Sequence, residues 1–152
     1  MRFSLIVLLW FVFVFTVSAG EIPDTLLDAI GRVESSWDNL AVGDKNLANR
    51  AHGIYQIRQP YLDDVNYIAG EERCQNIWGK DQLTMADIKA DPGKARWCVR
   101  VYMEYYGRIY TQHTGKEPTA EVYTRIHNGG PFGWKHYATL AYWKQVKAAW
   151  KV

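Results

Sequence analysis

AIGRVESSWDNLAVGDKNLANRAHGIYQI, residues 29–57, joins three unlike local patterns. It opens on the end of an apolar-striped helix, with Glu34 bordering the stripe. From Ser35 to Arg50 the helical pattern stops and Ser, Asp, Asn and Gly accumulate. Within that excursion Leu40-Ala41-Val42 is a short apolar run before Gly43-Asp44, which predicts a small β-hairpin or three-stranded flap. Gly53-Ile54-Tyr55-Gln56-Ile57 is then its last strand. A helix-borne carboxyl therefore faces a polar, turn-rich wall, and the two together outline a cleft.

The helix before it starts at Pro23-Asp24, a proline suited to the first turn and an acid suited to the positive end of the helix dipole. Leu26, Ile30, Val33 and Trp37 recur at offsets of four, three and four, one apolar stripe. A carboxyl beside such a stripe is either a solvated group at a helix end or a partly buried one at a cleft edge. Burial disfavours the charged form, which suits a general acid near neutral pH. A carboxyl facing a second polar wall is also the arrangement that cleaves glycosidic bonds.

Working outward, Pro60 opens a short helix with Leu62, Val65 and Ile68 or Ala69 inward and Gly70 as its stop. Residues 71–83 are irregular and carry Cys74. Thr84 with Asp87 makes a capping box. Asp91-Pro92 is an N-cap followed by proline at the first position, and the longest helix runs from there to about Thr111. Its apolar face is Ala95, Cys98, Val99, Tyr102, Tyr106 and Ile109. Gly115 breaks the chain. Pro118 begins a helix with Ala120, Tyr123 and Ile126 or His127 inward, ended by Asn128-Gly129-Gly130-Pro131, which cannot continue a helix. A last helix carries Thr139, Trp143, Val146 and Trp150 on one face. The result is one mostly helical domain with a small β element, without repeat or linker.

The amino terminus reads separately. Arg2, the apolar run Leu5–Val17 and the small residues Ser18, Ala19 and Gly20 have the form of a signal peptide cut after Ala19. The apolar run is short of the roughly 20 residues a spanning helix needs. Residues 1–19 are thus expected to leave a secreted domain of residues 20–152 with no membrane attachment. Their loss removes Arg2 and no acid, so the net charge goes from +2 to +1. Such a balance gives no case for nucleic acid and tolerates an anionic polymer such as a bacterial wall. Seven Trp and ten Tyr either pack the core or line a carbohydrate cleft. In an oxidising compartment Cys74 and Cys98, the only cysteines, are expected to form a disulfide. Neither sits at metal-ligand spacing or in a strained turn, so no metal, cofactor or thiol catalyst is expected.

Three segments carry a family resemblance. Arg32-Val33-Glu34-Ser35, the run from Gly53 through Arg58-Gln59-Pro60-Tyr61, and Arg125-Ile126-His127-Asn128-Gly129-Gly130-Pro131 followed by Ala138-Thr139-Leu140 and Tyr142-Trp143 resemble, in order, segments of the invertebrate-type, destabilase-like lysozymes. Cys98-Val99 before Tyr102-Met103 fits as well, and the blocks span nearly the whole chain after residue 19. The resemblance extends to lytic transglycosylases, which share the Glu-Ser, the Gly-x-x-Gln strand and a later Asn-Gly. It implies an α+β, mostly helical lysozyme-like fold with a β-hairpin flap beside the catalytic helix. It also implies a peptidoglycan hydrolase, with Glu34 as catalytic acid.

Asp44 is then the candidate second carboxylate, or else a Gly-Asp turn residue. Tyr55 and Gln56 would line the floor. Asn128 and the Gly129-Gly130 backbone would form part of the opposing wall, and His127 is either a cleft residue or a structural hydrogen-bonding group. His52 reads as strand packing. The family is rich in cysteines and this chain keeps two, so its fold must lean on the aromatic core. A lytic transglycosylase using Glu34 alone, or a non-catalytic wall-binding protein, are the alternatives. An isopeptidase has no Ser-His-Asp or Cys-His set here. A monomer is expected.

Overall fold

A computed structural model describes residues 21–71 and 82–150 of the chain. The expected signal segment and Cys74 lie outside the described residues. In chain order come α1 (Asp24–Ser35), β1 (Val42–Gly43), β2 (Ala51–His52), α2 (Gln59–Glu71), α3 (Met85–Ala90), α4 (Pro92–Thr114), α5 (Ala120–Gly129) and α6 (Thr139–Ala149), with a 3-10 turn at Gly133–Lys135. The α+β, mostly helical architecture agrees with the sequence reading.

The local signals work as their chemistry predicts. Thr84 and Asp87 form a reciprocal capping box, and the Asp91 side chain accepts from the backbone N–H groups of Gly93 and Lys94 ahead of Pro92. Helix α4 runs three residues past its expected end and closes on Gly115 at φ 68°. Gly70 does not stop α2, which continues to Glu71. With nothing within 4 Å of where its Cβ would be, Gly70 meets no obstacle in an exposed turn of helix.

Leu26, Leu27 and Ile30 of α1 are fully buried and meet Leu62 and Val65 of α2, Cys98, Val99 and Met103 of α4, Ile126 of α5 and Val146 of α6 in one core. Each such aliphatic side chain contributes roughly 1.5–3 kcal/mol on burial. Cys98 is a free thiol in this core, and burial pushes its pKa up to about 12. It is an apolar filler at neutral pH, and its expected disulfide partner lies outside the described residues.

The flap is smaller than predicted. β1 and β2 pair antiparallel over two residues each, Val42 with His52 and Gly43 with Ala51. Gly53–Gln56 is a turn, not a strand. Gly53 at φ 71° and Gln56 at φ 48° reverse the chain, and only Ile57 bridges back to His52, exchanging backbone bonds of 2.9 and 3.0 Å. The Ile54/Ile57 spacing, which puts the two residues on different faces of a strand, is the spacing of a turn.

Candidate functional site

Glu34 is in the last turn of α1, and three features fix that turn. Helix α1 ends in an αL motif, with the Ser36 N–H bonded to the Arg32 carbonyl, and the Trp37 N–H reaches back to the Gly31 carbonyl. Ser36 and Trp37 take φ of 55° and 69° to make it. The Ser35 hydroxyl donates to the Ile54 carbonyl at 3.0 Å. Gly31, one turn earlier, lies so close to Ile54 that a Cβ would come within 2.8 Å of it. The helix end and the Gly53–Gln56 turn are thus clamped together beside Glu34.

The Glu34 carboxyl keeps 17% exposure. Tyr142, from the first turn of α6, donates to Glu34 Oε1 at 2.6 Å. Burial, then the nearby Glu34 carboxylate, pushes the Tyr142 phenol far above its ordinary value, so it remains a donor. His127 of α5 stands with Nε2 at 3.5 Å from the same oxygen, and its Nδ1 is 3.2 Å from the Tyr61 hydroxyl. Burial also raises Tyr61 well above its ordinary value. Oε1 is therefore held from the protein side by the Tyr142 hydrogen bond, with His127 Nε2 beside it.

Tyr61 itself is fixed by stacking on Tyr102, with ring centroids 3.8 Å apart. Tyr102 leans on Tyr106, whose hydroxyl donates to Asp64 at 3.1 Å. An aromatic wall thus runs from the Glu34 end of the site to Asp64 on α2.

Glu34, Asp44, Gln56, Arg58, Tyr61, Asp64, Tyr102, His127, Asn128, Gly130 and Pro131 line an open cleft of about 820 Å³. Asp44 borders it at φ 48° and is ion-paired with Arg58. Gln56 lies over β1, its amide donating to the Gly53 carbonyl at 2.9 Å, and a Cβ on Gly43 would sit 2.2 Å from its Oε1. Asp44 and Gln56 are both non-glycine residues in the left-handed region, a costly conformation that clusters at functional sites.

Two expectations need correction. Tyr55 does not line the floor: it is 1% exposed and packs edge-on against Trp37, because the turn directs its ring into the core. Gly129 does not form the wall either. Its Cα faces Thr139, where a Cβ would lie 2.6 Å from Cγ2, and the wall residues are Asn128, Gly130 and Pro131. His52 lies in β2 as read, its pKa lowered by burial first and then by Lys89 and Arg50. The sequence reading passed over Tyr142, Tyr61, Arg58 and Asp64. Tyr61 and Tyr142 stood within the family-like blocks, and their polar tips on otherwise apolar rows were the available signal. Among the described residues, no three metal-ligating side chains converge, and no helix is long and apolar enough to cross a membrane.

No protein-family model matches the chain. Individual proteins do. It is 31% identical over 133 residues to a lysozyme of Magallana gigas, covering 88% of this chain and 84% of that one. It is 32% identical over 127 residues to invertebrate-type lysozyme 6 of Caenorhabditis elegans, covering 80% and 82%. The crystal structure of Tapes japonica lysozyme superposes with a TM-score of 0.62 at 25% identity, covering 84% of this chain and 90% of that one.

Proposed function

The chain belongs to the invertebrate-type lysozymes, and we propose that its cleft hydrolyses the β-1,4 bond between N-acetylmuramic acid and N-acetylglucosamine in bacterial peptidoglycan, with Glu34 as the acid. The observation that carries this assignment is the asymmetric hold on Glu34. One carboxyl oxygen takes the Tyr142 hydrogen bond at 2.6 Å, while the residue borders an open cleft of about 820 Å³. A general acid must present its proton within hydrogen-bond reach of the leaving oxygen. Anchoring Oε1 fixes the direction in which Oε2 points.

In this reading Glu34 protonates the glycosidic oxygen and the leaving sugar departs. Positive charge develops on the anomeric carbon. Asp44, across the cleft on the flap, is the carboxylate that stabilises or captures it. Water then completes hydrolysis, with Glu34 acting in reverse as base. Tyr102 and Tyr61 supply an aromatic surface along the cleft, and Asn128 supplies a polar wall. We place the protein outside the cell, where its polymer is.

Glu34→Gln keeps shape and removes the proton. The wild type should release reducing, hydrated muropeptides from purified peptidoglycan and the variant should release none, as read by product mass. Products lighter by one water would mark a lytic transglycosylase. Binding without release by either protein would mark a non-catalytic wall-binding cleft.

A further inference from the structure

We infer that Arg58 reads a carboxylate on the muramyl side of the glycan and, in taking it, releases Asp44. The inference rests on the glycan-cleaving reading of the same cleft. Arg58 Nη2 pairs with Asp44 Oδ2, and the two side chains are 45% and 40% exposed. An ion pair so open to water contributes little to stability. It is therefore a contact that a competing anion can displace at little cost.

The other charges of the cleft make this exchange useful. Glu34, Asp44 and Asp64 all border it, so it would otherwise repel an anionic polymer. His127 stands with Nδ1 3.2 Å from the Tyr61 hydroxyl and Nε2 3.5 Å from Glu34 Oε1, and its side chain is only 4% exposed. Among the described residues lining the cleft, Arg58 is the cation within a substrate's reach. Its backbone is fixed on both sides. Ile57 bridges to His52, and the Arg58 carbonyl accepts the Leu62 N–H at 3.1 Å to start α2. A planar guanidinium on a fixed stem suits paired hydrogen bonds to a carboxylate.

The exchange has two consequences. An anionic glycan gains a charge-assisted contact. Asp44, no longer neutralised by the guanidinium, turns its full charge toward the developing positive charge at the anomeric carbon. A neutral polymer of N-acetylglucosamine gains neither. The carboxylate has two sources: the lactyl acid of a peptide-free muramyl residue, or an acid of the stem peptide where the lactyl group is amidated. The shared chemistry is a carboxylate held beside the muramyl ring.

The test compares the full chain with Arg58→Gln and Arg58→Lys. The substrates are peptide-free glycan, peptide-bearing glycan and an N-acetylglucosamine hexamer, and thermal melts check folding. Arg58→Gln should lower the kcat/KM ratio of carboxylate-bearing to neutral glycan at least tenfold, with Arg58→Lys in between. The anionic substrate whose ratio falls identifies the source. An equal loss on all three, or an unchanged ratio, overturns the inference. In the Glu34→Gln background, calorimetry with a muramyl disaccharide, a muropeptide and their carboxamides should show a preference for at least one carboxylate that Arg58→Gln abolishes. No preference, or one that persists, also overturns it. Carboxylate-selective binding that depends on Arg58, without cleavage of any glycan by the wild type, would sink the lysozyme reading and leave this one standing.

Discussion

Tyr142→Phe removes one oxygen from behind Glu34 and leaves the ring. The lost bond is 2.6 Å long and ends on a carboxyl oxygen. A hydrogen bond to a charged group is worth about 1.5–3 kcal/mol. If that bond aims Oε2, its loss falls on the proton-donation step. At about 1.4 kcal/mol per tenfold, kcat should drop roughly 10- to 150-fold. KM should hold, because Tyr142 is not among the residues lining the cleft. Stability should fall by only part of the worth of that bond. The Glu34 side chain keeps 17% exposure, so water takes over part of the bond and the cost stays below the same about 1.5–3 kcal/mol. The assay is initial rate against concentration on soluble peptidoglycan fragments, with a thermal melt of the same samples. A kcat within twofold of wild type would refute the reasoning. So would a loss carried by KM, or one that tracks a large fall in melting temperature.

Gly133→Ala should destabilise the fold by about 1–3 kcal/mol, because the new Cβ would lie 1.9 Å from the Arg125 carbonyl oxygen. Gly70→Ala, in open helix, should stabilise it by about 0.4–1 kcal/mol; denaturant titrations of the pair test both signs. His52 carries a pH prediction. Its folded pKa is lowered from 6.5 by burial, then by Lys89 and Arg50. The unfolded chain therefore takes up the proton first, and stability present above pH 6.5 is lost as pH falls from there through the lowered folded pKa. His52→Asn should flatten the melting-temperature curve just below that pH, and an unchanged slope would count against it.

The parts of the fold legible in the sequence are those in which local chemistry and tertiary packing agree. Thr84 with Asp87 and Asp91 with Pro92 are helix starts whatever surrounds them, and both are found as read. The stripe leaves Glu34 as either a solvated helix-end group or a partly buried one at a cleft edge, and the family-like blocks favour the cleft, where its side chain is found at 17% exposure. The Gly53–Ile57 stretch was misread because its composition suits a strand, while its conformation is set by a neighbour. Gly31 and Ser35 of α1 clamp Ile54, which forces a turn and sends Tyr55 inward. The same force removed Tyr55 from the floor. Gly129 was misplaced for a related reason: a glycine pair signals a sharp turn without saying which Cα faces the cleft. Tyr142 was hidden because its neighbours Trp143 and Val146 make the apolar row, and nothing local says that the next residue reaches a carboxyl 108 positions away.

That reach has a structural logic. Two hydrogen bonds tie α6 to α1. Tyr142, near the start of α6, meets Glu34 near the end of α1, and Trp150, just past the end of α6, donates to Thr25 in the first turn of α1 at 2.9 Å. Nine residues separate Thr25 from Glu34 and eight separate Tyr142 from Trp150. At 1.5 Å per residue these are matching spans of about 12–14 Å, so α6 lies antiparallel along α1 with one bond at each end. Both bonds join the two extremes of the described chain, separated by 108 and 125 residues. Contacts of such high sequence separation carry a large loop-closure cost. The aim of Glu34 is therefore a property of the finished fold. Nothing within α1 supplies the Tyr142 bond, so the orientation of the Glu34 carboxyl depends on the packing of α6 against α1.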